Sequence, residues 1–324
     1  MEKIYQKNGI EKLGDANGAE LKSASWGASA ARIISLRPTP ALFRNAQWKS
    51  TSFLYVRIHF IVYLFPKNCY TVFMAKTIVF VNQKGGVGKT TSAINIGAYI
   101  ALAGKKVLLV DFDSQGNMSS GVGVSKDKPT IYELLAGNCT PEAAIKKSSI
   151  QNLDAISASI DLSGAAIELV DQDNWEYYLK NALAPLQSKY DYILIDCPPS
   201  LGILTLNGLA AADSVLVPMQ CEYFALEGIT LLLQTVQKVQ KEINPKLTIG
   251  GIFFTMYDSR TRLAQDVVLQ VKSYFKDVVF NTIIPRNVRL SEAPSHGLPI
   301  CKYDPECMGA KSYEKLAEEV IHRG

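Results

Sequence analysis

A segment rich in glycine and lysine gives the clearest indication of chemistry in this sequence. Residues 82–92 read NQKGGVGKTTS, after a short β-branched apolar run and before a helical pattern. This context predicts a loop whose backbone N–H groups close around phosphate oxygens, with a helix N-terminus behind them. Lys89 would reach the β- and γ-phosphates of a nucleotide, Thr90 would put its hydroxyl on Mg²⁺, and Thr91 would contact the α-phosphate. The predicted nucleotide-binding residues of the loop are Lys84, Gly85, Gly86, Val87, Gly88, Lys89, Thr90 and Thr91.

Carboxylates follow two predicted strands and could complete this site. Asp111 and Asp113 come after the apolar run at 107–110, and Asp196 comes after the run at 192–195. Ligands of doubly wound sheets bind outside the C-terminal ends of the strands. We expect Asp196 to hold Mg²⁺ through water. Of Asp111 and Asp113, one is expected to bind a Mg²⁺ water and the other to orient the attacking water. Hydrolysis at such a site is commonly slow, and a partner can accelerate it.

Strands and helices alternate around these residues. Strands are predicted at 77–81, 107–110, 192–195, 215–217, 247–254 and 278–284. Helices are predicted at 89–102, 131–135, 141–147, 174–187, 201–211, 226–242 and 261–275. Buried strands that alternate with helices indicate an α/β fold with a doubly wound, mainly parallel sheet flanked by helices on both faces.

The charge is unevenly distributed along the 324 residues, which carry a formal net charge of +4. Residues 1–73 hold ten basic and four acidic residues, whereas residues 74–324 hold 24 basic and 26 acidic ones. The basic excess therefore belongs to the first 73 residues, and it is no evidence that the remainder binds an anionic partner. Six scattered cysteines without a CxxC pair argue against a zinc site or a disulfide framework and favour a reducing cytosol.

Residues 1–73 differ from the rest of the chain and show no sustained helical or strand period. The apolar run at 52–65 contains Arg57 and His59 and is shorter than the roughly 20 residues of a transmembrane helix. Three interpretations stay open: a gene-start artefact with the true start at Met74, a weakly ordered extension, or an additional interaction or membrane-associating segment. Residues 74–324 are expected to form the ATPase domain.

Five motifs in collinear order give a resemblance to a known family. They read KGGVGKTTSAINIG, LLVDFDSQGNMSSGVG, YDYILIDCPPSLG, QCEYFALEG and IPRNVRLSEAPSHG. Over nearly all of 74–324 the chain resembles the ParA/Soj family of deviant Walker A, SIMIBI-type P-loop ATPases. The resemblance implies ATP and Mg²⁺ as cofactors and an ATP-bound homodimer, in which Lys84 reaches the partner's nucleotide. Ser114 departs from the family pattern, which usually has Pro at this position.

The same resemblance implies further residue roles. Asp113 matches the family's hydrolysis-critical aspartate, which with Lys84 and Lys89 makes the predicted catalytic set. Pro285 and Asn287 match positions near the adenine, and Arg260 and Arg289 match arginines of a sequence-independent DNA surface. The metal set is predicted to be Thr90, Asp113 and Asp196.

The function implied is chromosome or plasmid partitioning. The resemblance implies a cytoplasmic protein that associates with the nucleoid. Its ATP-bound dimer would bind DNA non-specifically, and a ParB-like centromere-binding partner would stimulate hydrolysis. A role in initiating replication or sporulation is a further option. The stretch from Arg260 to Arg289 is the densest basic part of the core. Composition alone favours a solvated basic face there, but a dimer would place two such stretches on one surface, and phosphate contacts raise affinity steeply with their number.

Two other functions are weighed against this one. A MinD-like membrane-positioning ATPase would need a basic, strongly apolar C-terminal helix. The helix-spaced apolar residues of 311–324 alternate with Glu314, Glu318 and Glu319, which anionic lipid would repel, so we expect this helix to pack on the body and expect no stable membrane association. A redox relative of the nitrogenase iron protein would need cysteines that bridge a dimer cluster, and the cysteines here do not match that pattern.

Overall fold

We describe a computed structural model of the protein, in which residues 74–223 and 225–323 are described. The predictions for the extension at 1–73 lie outside the described residues. Within them, eight strands form one sheet in the order β3-β4-β2-β5-β1-β6-β7-β8. The strands are β1 (Lys76–Phe80), β2 (Val107–Asp111), β3 (Ile145–Lys147), β4 (Leu153–Ile156), β5 (Tyr192–Asp196), β6 (Ser214–Gln220), β7 (Thr248–Tyr257) and β8 (Val279–Pro285).

The helices lie between these strands in the chain. They are α1 (Lys89–Leu102), α2 (Asn117–Gly121), α3 (Ile131–Leu135), α4 (Pro141–Ala144), α5 (Leu162–Val170), α6 (Tyr178–Leu183), α7 (Ile203–Ala211), α8 (Ala225–Glu242), α9 (Arg262–Phe275), α10 (Val288–Glu292), α11 (Ile300–Tyr303) and α12 (Met308–His322). Neighbouring strands are parallel except for the edge pair β3 and β4. The predicted doubly wound, mainly parallel α/β fold is confirmed.

Helices cover both faces of the sheet because successive side chains of a buried strand point to opposite faces. In β1, Ile78 and Phe80 belong to the core that α1 and α12 cover. Val79 and Val81 belong to the core on the other face, where α7, α8 and α9 pack. The strands β2 and β5 are buried in the same way and are apolar until their last residues, Asp111 and Asp196, which lie at the sheet edge.

Two predicted helices differ from the structure. The prediction of a helix at 141–147 was wrong beyond Ala144, where β3 begins and pairs antiparallel with the unpredicted strand β4. The pairing of Ile145 with Ile156 stabilises these short strands, and such a tertiary contact leaves little local signal. The predicted helix at 174–187 is divided: α6 lies between two short 3₁₀ turns. Pro185 is in the second turn, and because proline lacks the backbone N–H that a continuous helix needs, α6 ends before it.

The C-terminal helix α12 packs on the body, as the sequence predicts. Tyr313, Leu316 and Ala317 are buried, and the Tyr313 hydroxyl lies 2.9 Å from the Ser92 Oγ of α1. The Glu319 carboxylate accepts hydrogen bonds from the backbone N–H groups of β8 at 2.8 and 2.9 Å. The apolar face of α12 is thus buried in this protein's own core. Among the described helices, none is long and apolar enough to cross a membrane.

Candidate functional site

The loop between β1 and α1 is shaped by glycines with positive φ. Gly86 has φ 72° and Gly88 has φ 85°, a region that side chains rarely adopt, so both positions favour glycine. Gly88 is the N-cap of α1, and its carbonyl accepts the first helical hydrogen bond from Ser92 N at 2.9 Å. The loop therefore leads straight into a helix N-terminus, which is a favourable place for a phosphate group.

Side chains from two neighbouring strands hold the carbonyl groups of this loop. Gln220, the last residue of β6, donates from Nε2 to the Gly86 carbonyl at 3.0 Å. Thr255 of β7 donates from Oγ1 to the Val87 carbonyl at 2.8 Å. Sequence reasoning missed both residues because they lie more than 130 positions from the loop. Their position near the C-terminal ends of strands was the signal that could have found them.

Lys89 lies beneath the loop. Its side chain is buried, and Nζ donates to the carbonyl of Lys84 at 3.4 Å. Burial lowers the pKa of Lys89, and the charges of Asp196 and Asp113 oppose that effect. The lysine is thus placed among the two carboxylates that the sequence assigned to the same site.

Lys84 occupies a different environment from Lys89. Its ammonium group forms an ion pair with the carboxylate of Glu222, and about half of each side chain is exposed. Both residues line a cavity of about 450 Å³ beside the loop. Glu222 lies in the QCEYFALEG motif, but sequence reasoning gave it no role. The structure therefore places one lysine inside the site and the other at its surface.

Asp111 and Asp113 differ in burial and in partners. Asp111 is fully buried, and its Oδ2 accepts hydrogen bonds from Ser119 N at 2.7 Å and Ser119 Oγ at 2.6 Å. Burial raises the pKa of Asp111 to about 6 in spite of these hydrogen bonds. Asp113 is partly exposed and accepts from Gln115 N at 3.1 Å. Asp111 therefore anchors α2, and Asp113 is the carboxylate of the pair that solvent or a ligand can reach.

Asp196 ends β5 between two other strand ends, paired in register with Phe80 of β1 and Asp111 of β2. Both carboxylate oxygens are buried and make no hydrogen bond of good geometry to the described residues. Burial raises the pKa of Asp196 to about 8, the charge of Asp111 adds to the rise, and Thr90 and Lys89 oppose it. A buried carboxylate without partners is costly, and a cation with its waters would relieve that cost.

The oxygen atoms of Thr90, Asp113 and Asp196 fit a magnesium site in their chemistry. Mg²⁺ prefers hydroxyl, carboxylate and water oxygens, and it usually keeps several of its waters. Thr90 stands in the first turn of α1 and is partly buried, and within the described part of the chain the Asp196 oxygens make no hydrogen bond of good geometry. The residues that the sequence assigned to metal thus lie around the same loop.

Pro285 and Asn287 lie at the same sheet edge as the loop but three strands away from β1. Pro285 ends β8 and pairs with Tyr257 of β7. Asn287 is the N-cap of α10, and its Oδ1 accepts from Arg289 N at 2.9 Å. This position on the nucleotide side of the sheet is compatible with the predicted adenine contact, which stays a prediction.

Arg260 and Arg289 follow the adjacent strand ends of β7 and β8, and both are ion-paired. Arg260 donates from Nε and Nη2 to the two carboxylate oxygens of Asp258 at 2.9 and 2.6 Å. Arg289 contacts Glu292 at 2.9 Å and Asp304 at 3.3 Å. The sequence placed these arginines in one basic stretch with few acidic residues, and the structure shows that each one has a carboxylate partner.

A glycine-rich loop between β1 and α1, with a buried carboxylate at the end of the adjacent strand, defines a P-loop nucleotide-binding protein of the α/β class. Comparison with known proteins gives the family. Residues 75–249 match the family model of the AAA domain. The chain is 68% identical over 250 residues to the chromosome-partitioning ATPase Soj of Treponema pallidum, covering 77% of this chain and 98% of that protein. It therefore belongs to the ParA/Soj family.

Two further similarities are to a second Soj protein and to a solved structure with bound nucleotide. The chain is 53% identical over 253 residues to the sporulation initiation inhibitor protein Soj of Bacillus subtilis, covering 78% of this chain and all of that protein. Among solved structures it is similar to cobyrinic acid a,c-diamide synthase from Mycobacterium smegmatis with bound ADP and magnesium. That similarity has a TM-score of 0.68 at 39% identity and covers 77% of this chain and 95% of the other.

Proposed function

We propose that this protein is a chromosome-partitioning ATPase that switches between a monomer and an ATP-bound homodimer. The dimer binds DNA without sequence preference, and a ParB-like partner stimulates hydrolysis and release. One observation carries the nucleotide part of the proposal: at the glycine loop, buried Lys89 lies within the electrostatic influence of buried Asp196, whose oxygens make no hydrogen bond of good geometry to the described residues. The partitioning role rests on the relative from Treponema pallidum at 68% identity. The protein would act in the cytoplasm, on the nucleoid.

The loop residues 84–91 would bind the phosphates of ATP, and Pro285 and Asn287 would border the adenine. Thr90 and Asp196, with Asp113, would hold Mg²⁺, Asp196 through a water ligand. When bound, Mg²⁺ would neutralise charge on the phosphate oxygens. Lys89 would place its ammonium group on the β- and γ-phosphates. The loop would enclose the triphosphate at the N-terminus of α1. The ammonium group of Lys89 and the helix dipole would balance the negative charge of the phosphates.

Asp113 would orient the attacking water, because it is the accessible carboxylate beside the loop. Phosphoryl transfer depends mostly on positioning and charge stabilisation, so a strong base is not needed. Such hydrolysis is commonly slow without an added cation or partner. The proposed activity is therefore a slow Mg²⁺-dependent ATP hydrolysis that DNA and a partner protein accelerate.

Lys84 would act across the dimer. Its half-exposed side chain lies at the surface of the site, and its Glu222 partner is equally exposed, so the pair can separate at little cost. If the Lys84 side chain leaves Glu222 and contacts the nucleotide bound by the partner subunit, dimerisation would depend on ATP. Arg260 and Arg289 would then present two copies of the same cations to the DNA backbone.

The proposal is tested by steady-state hydrolysis of ATP with the purified protein alone, with DNA, and with DNA plus a ParB-type protein. We expect slow turnover alone and a stepwise increase with each addition. The residues 74–324 should behave like the full chain if they form the complete ATPase domain. Fast hydrolysis that neither DNA nor partner changes would contradict the proposed switch.

A further inference from the structure

The ends of β7 and β8 form a surface that carries cations and carboxylates together. Tyr257 and Pro285 pair in register, and Arg286 N donates to the Tyr257 carbonyl at 3.1 Å, so the chain segments that follow both strands are neighbours. We call this the arginine surface. It comprises Arg260, Arg286 and Arg289 with the carboxylates Asp258, Glu292 and Asp304.

One edge of the Arg260 guanidinium is already occupied. Nε and Nη2 donate to Oδ1 and Oδ2 of Asp258 in a bidentate pair, and Asp258 also accepts from Arg260 N at 3.1 Å. The arginine side chain is 86% exposed. The charge of Arg286 acts on Asp258 as well, and these contacts hold the pKa of Asp258 well below its usual range. Asp258 thus pairs with one exposed arginine and is influenced by the charge of a second one.

Arg289 is paired with two different carboxylates. Nη1 donates to Glu292 Oε2 at 2.9 Å, and Nε lies 3.3 Å from Asp304 Oδ2. The Tyr303 hydroxyl also donates to Glu292 Oε2 at 3.1 Å and helps to hold this carboxylate in place. Together, Arg260 and Arg289 carry two positive charges against three negative ones. The described partners therefore leave no net positive charge at these two arginines.

The donors that hold these carboxylates also suit a phosphate group. Guanidinium binds carboxylate and phosphate with the same kind of parallel N–H pair, so Asp258 and a phosphate compete for the Nε and Nη2 edge of Arg260 and for its positive charge. Resting on the proposed DNA binding, we propose that Asp258 and Glu292 are internal competitors of the DNA backbone, which occupy Arg260 and Arg289 until phosphates displace them. The two carboxylates thereby set how tightly and how salt-dependently this surface binds DNA.

The pairs are suited to exchange. Both are exposed and local in sequence, with partners two or three residues apart, and exposed pairs of this kind are weak and screened by salt. An arginine that leaves a carboxylate for a phosphate returns a bare carboxylate to solution, and this carboxylate then attracts a cation. DNA binding would therefore release fewer counterions than the number of phosphate contacts implies, and its salt dependence would be shallower.

The test measures DNA affinity of the full-length protein with Mg²⁺ and a non-hydrolysable ATP analogue, across a series of KCl concentrations. The probe is a fluorescent DNA duplex of arbitrary sequence. Asp258→Asn and Glu292→Gln remove the competing charges, and Asp277→Asn is the matched control. Asp277 is exposed, lies just after α9 and has no ion pair within the described residues. Light scattering with the analogue checks that each variant still folds and dimerises.

We expect each Asp258→Asn substitution to raise DNA affinity roughly two- to fivefold, and the dimer carries two such substitutions. Its plot of log affinity against log salt should be steeper by about 0.9 for each arginine released. Glu292→Gln should have a smaller effect because Asp304 still contacts Arg289. Asp277→Asn should leave the slope unchanged.

Other outcomes separate this inference from the proposed function. Weaker DNA binding by Asp258→Asn and Glu292→Gln would mean that the carboxylates position the arginines, and it would overturn the competition while leaving DNA binding intact. An unchanged affinity and slope would overturn it too. If neither the wild type nor any variant binds DNA, the proposed DNA binding fails, and this inference fails with it.

Discussion

Asp111 and Asp196 lie directly opposite each other at the ends of β2 and β5, and both are buried, yet their hydrogen bonding differs. Asp111 accepts two hydrogen bonds from Ser119, whereas neither oxygen of Asp196 has a partner of good geometry in the described part of the chain. Two buried carboxylates at adjacent strand ends repel each other. One is therefore built into the fold, and the other is left to bind a ligand.

The contrast predicts that Asp196→Asn removes the stabilisation by Mg²⁺. With wild-type protein, Mg²⁺-ATP at about 100 times its Kd should raise the free energy of unfolding by about 2.7 kcal/mol. In Asp196→Asn, adding Mg²⁺ to ATP should add almost nothing, because the buried oxygens that would hold its water are changed. Thermal unfolding with ATP, with and without Mg²⁺, measures this. Exposed Asp173→Asn is the control, and an equal magnesium effect in both variants would refute the metal assignment.

Replacing Asp113 should separate binding from hydrolysis. Asp113→Ala is expected to bind ATP and dimerise, while turnover falls by about 10²-fold because the attacking water is no longer oriented. Nucleotide binding, light scattering and phosphate release measure the three properties. A variant that fails to bind ATP or stays monomeric would show that Asp113 has a different role.

Lys84→Ala should keep ATP binding but lose the ATP-dependent dimer. Lys84 lies at the surface of the site in contact with Glu222, whereas Lys89 beneath the loop would still hold the phosphates. Light scattering with ATP and with ADP measures the effect. Exposed Lys105, which follows α1 at the opposite sheet edge, provides Lys105→Ala as a control that should dimerise normally. A Lys84→Ala protein that dimerises with ATP would exclude the trans role.

Two glycines give an opposed pair of stability predictions. A Cβ on Gly251 of β7 would lie 2.1 Å from the Phe280 ring, so Gly251→Ala should destabilise the protein by about 1–3 kcal/mol. A Cβ on Gly228 of α8 would meet nothing within 4 Å, so Gly228→Ala should stabilise it by about 0.5–1 kcal/mol. Urea unfolding measures both changes. Equal effects at the two positions would mean that the packing of β7 against β8 is described incorrectly.

The sequence predicted the features that depend on local pattern. The strand, glycine loop and helix around Lys89 are contiguous, so their order alone indicated a phosphate site. The apolar runs that end in Asp111 and Asp196 likewise predicted buried strands with carboxylates at one sheet edge. These elements could be predicted because their local sequence preferences agree with the final fold.

The features that sequence reasoning missed are contacts between distant segments. Gln220 and Thr255 hold the loop from two other strands, and Glu222 pairs with Lys84 across 138 positions. The edge strand β3 is three residues long and depends on its partner β4. The nearby carboxylates of Arg260 and Arg289 were visible in the sequence, but which atoms they occupy depends on backbone geometry.

One measurement tests the central claim most directly: the binding of a DNA duplex to the protein in Mg²⁺ with ATP and then with ADP. The double variant Arg260→Glu, Arg289→Glu is measured beside the wild type, and Lys246→Glu at the opposite sheet edge is the control for charge. We predict retention of DNA with ATP but not with ADP by the wild type and by Lys246→Glu. The double variant should lose DNA and still form the ATP dimer. DNA binding that is the same with ATP and ADP would contradict the switch.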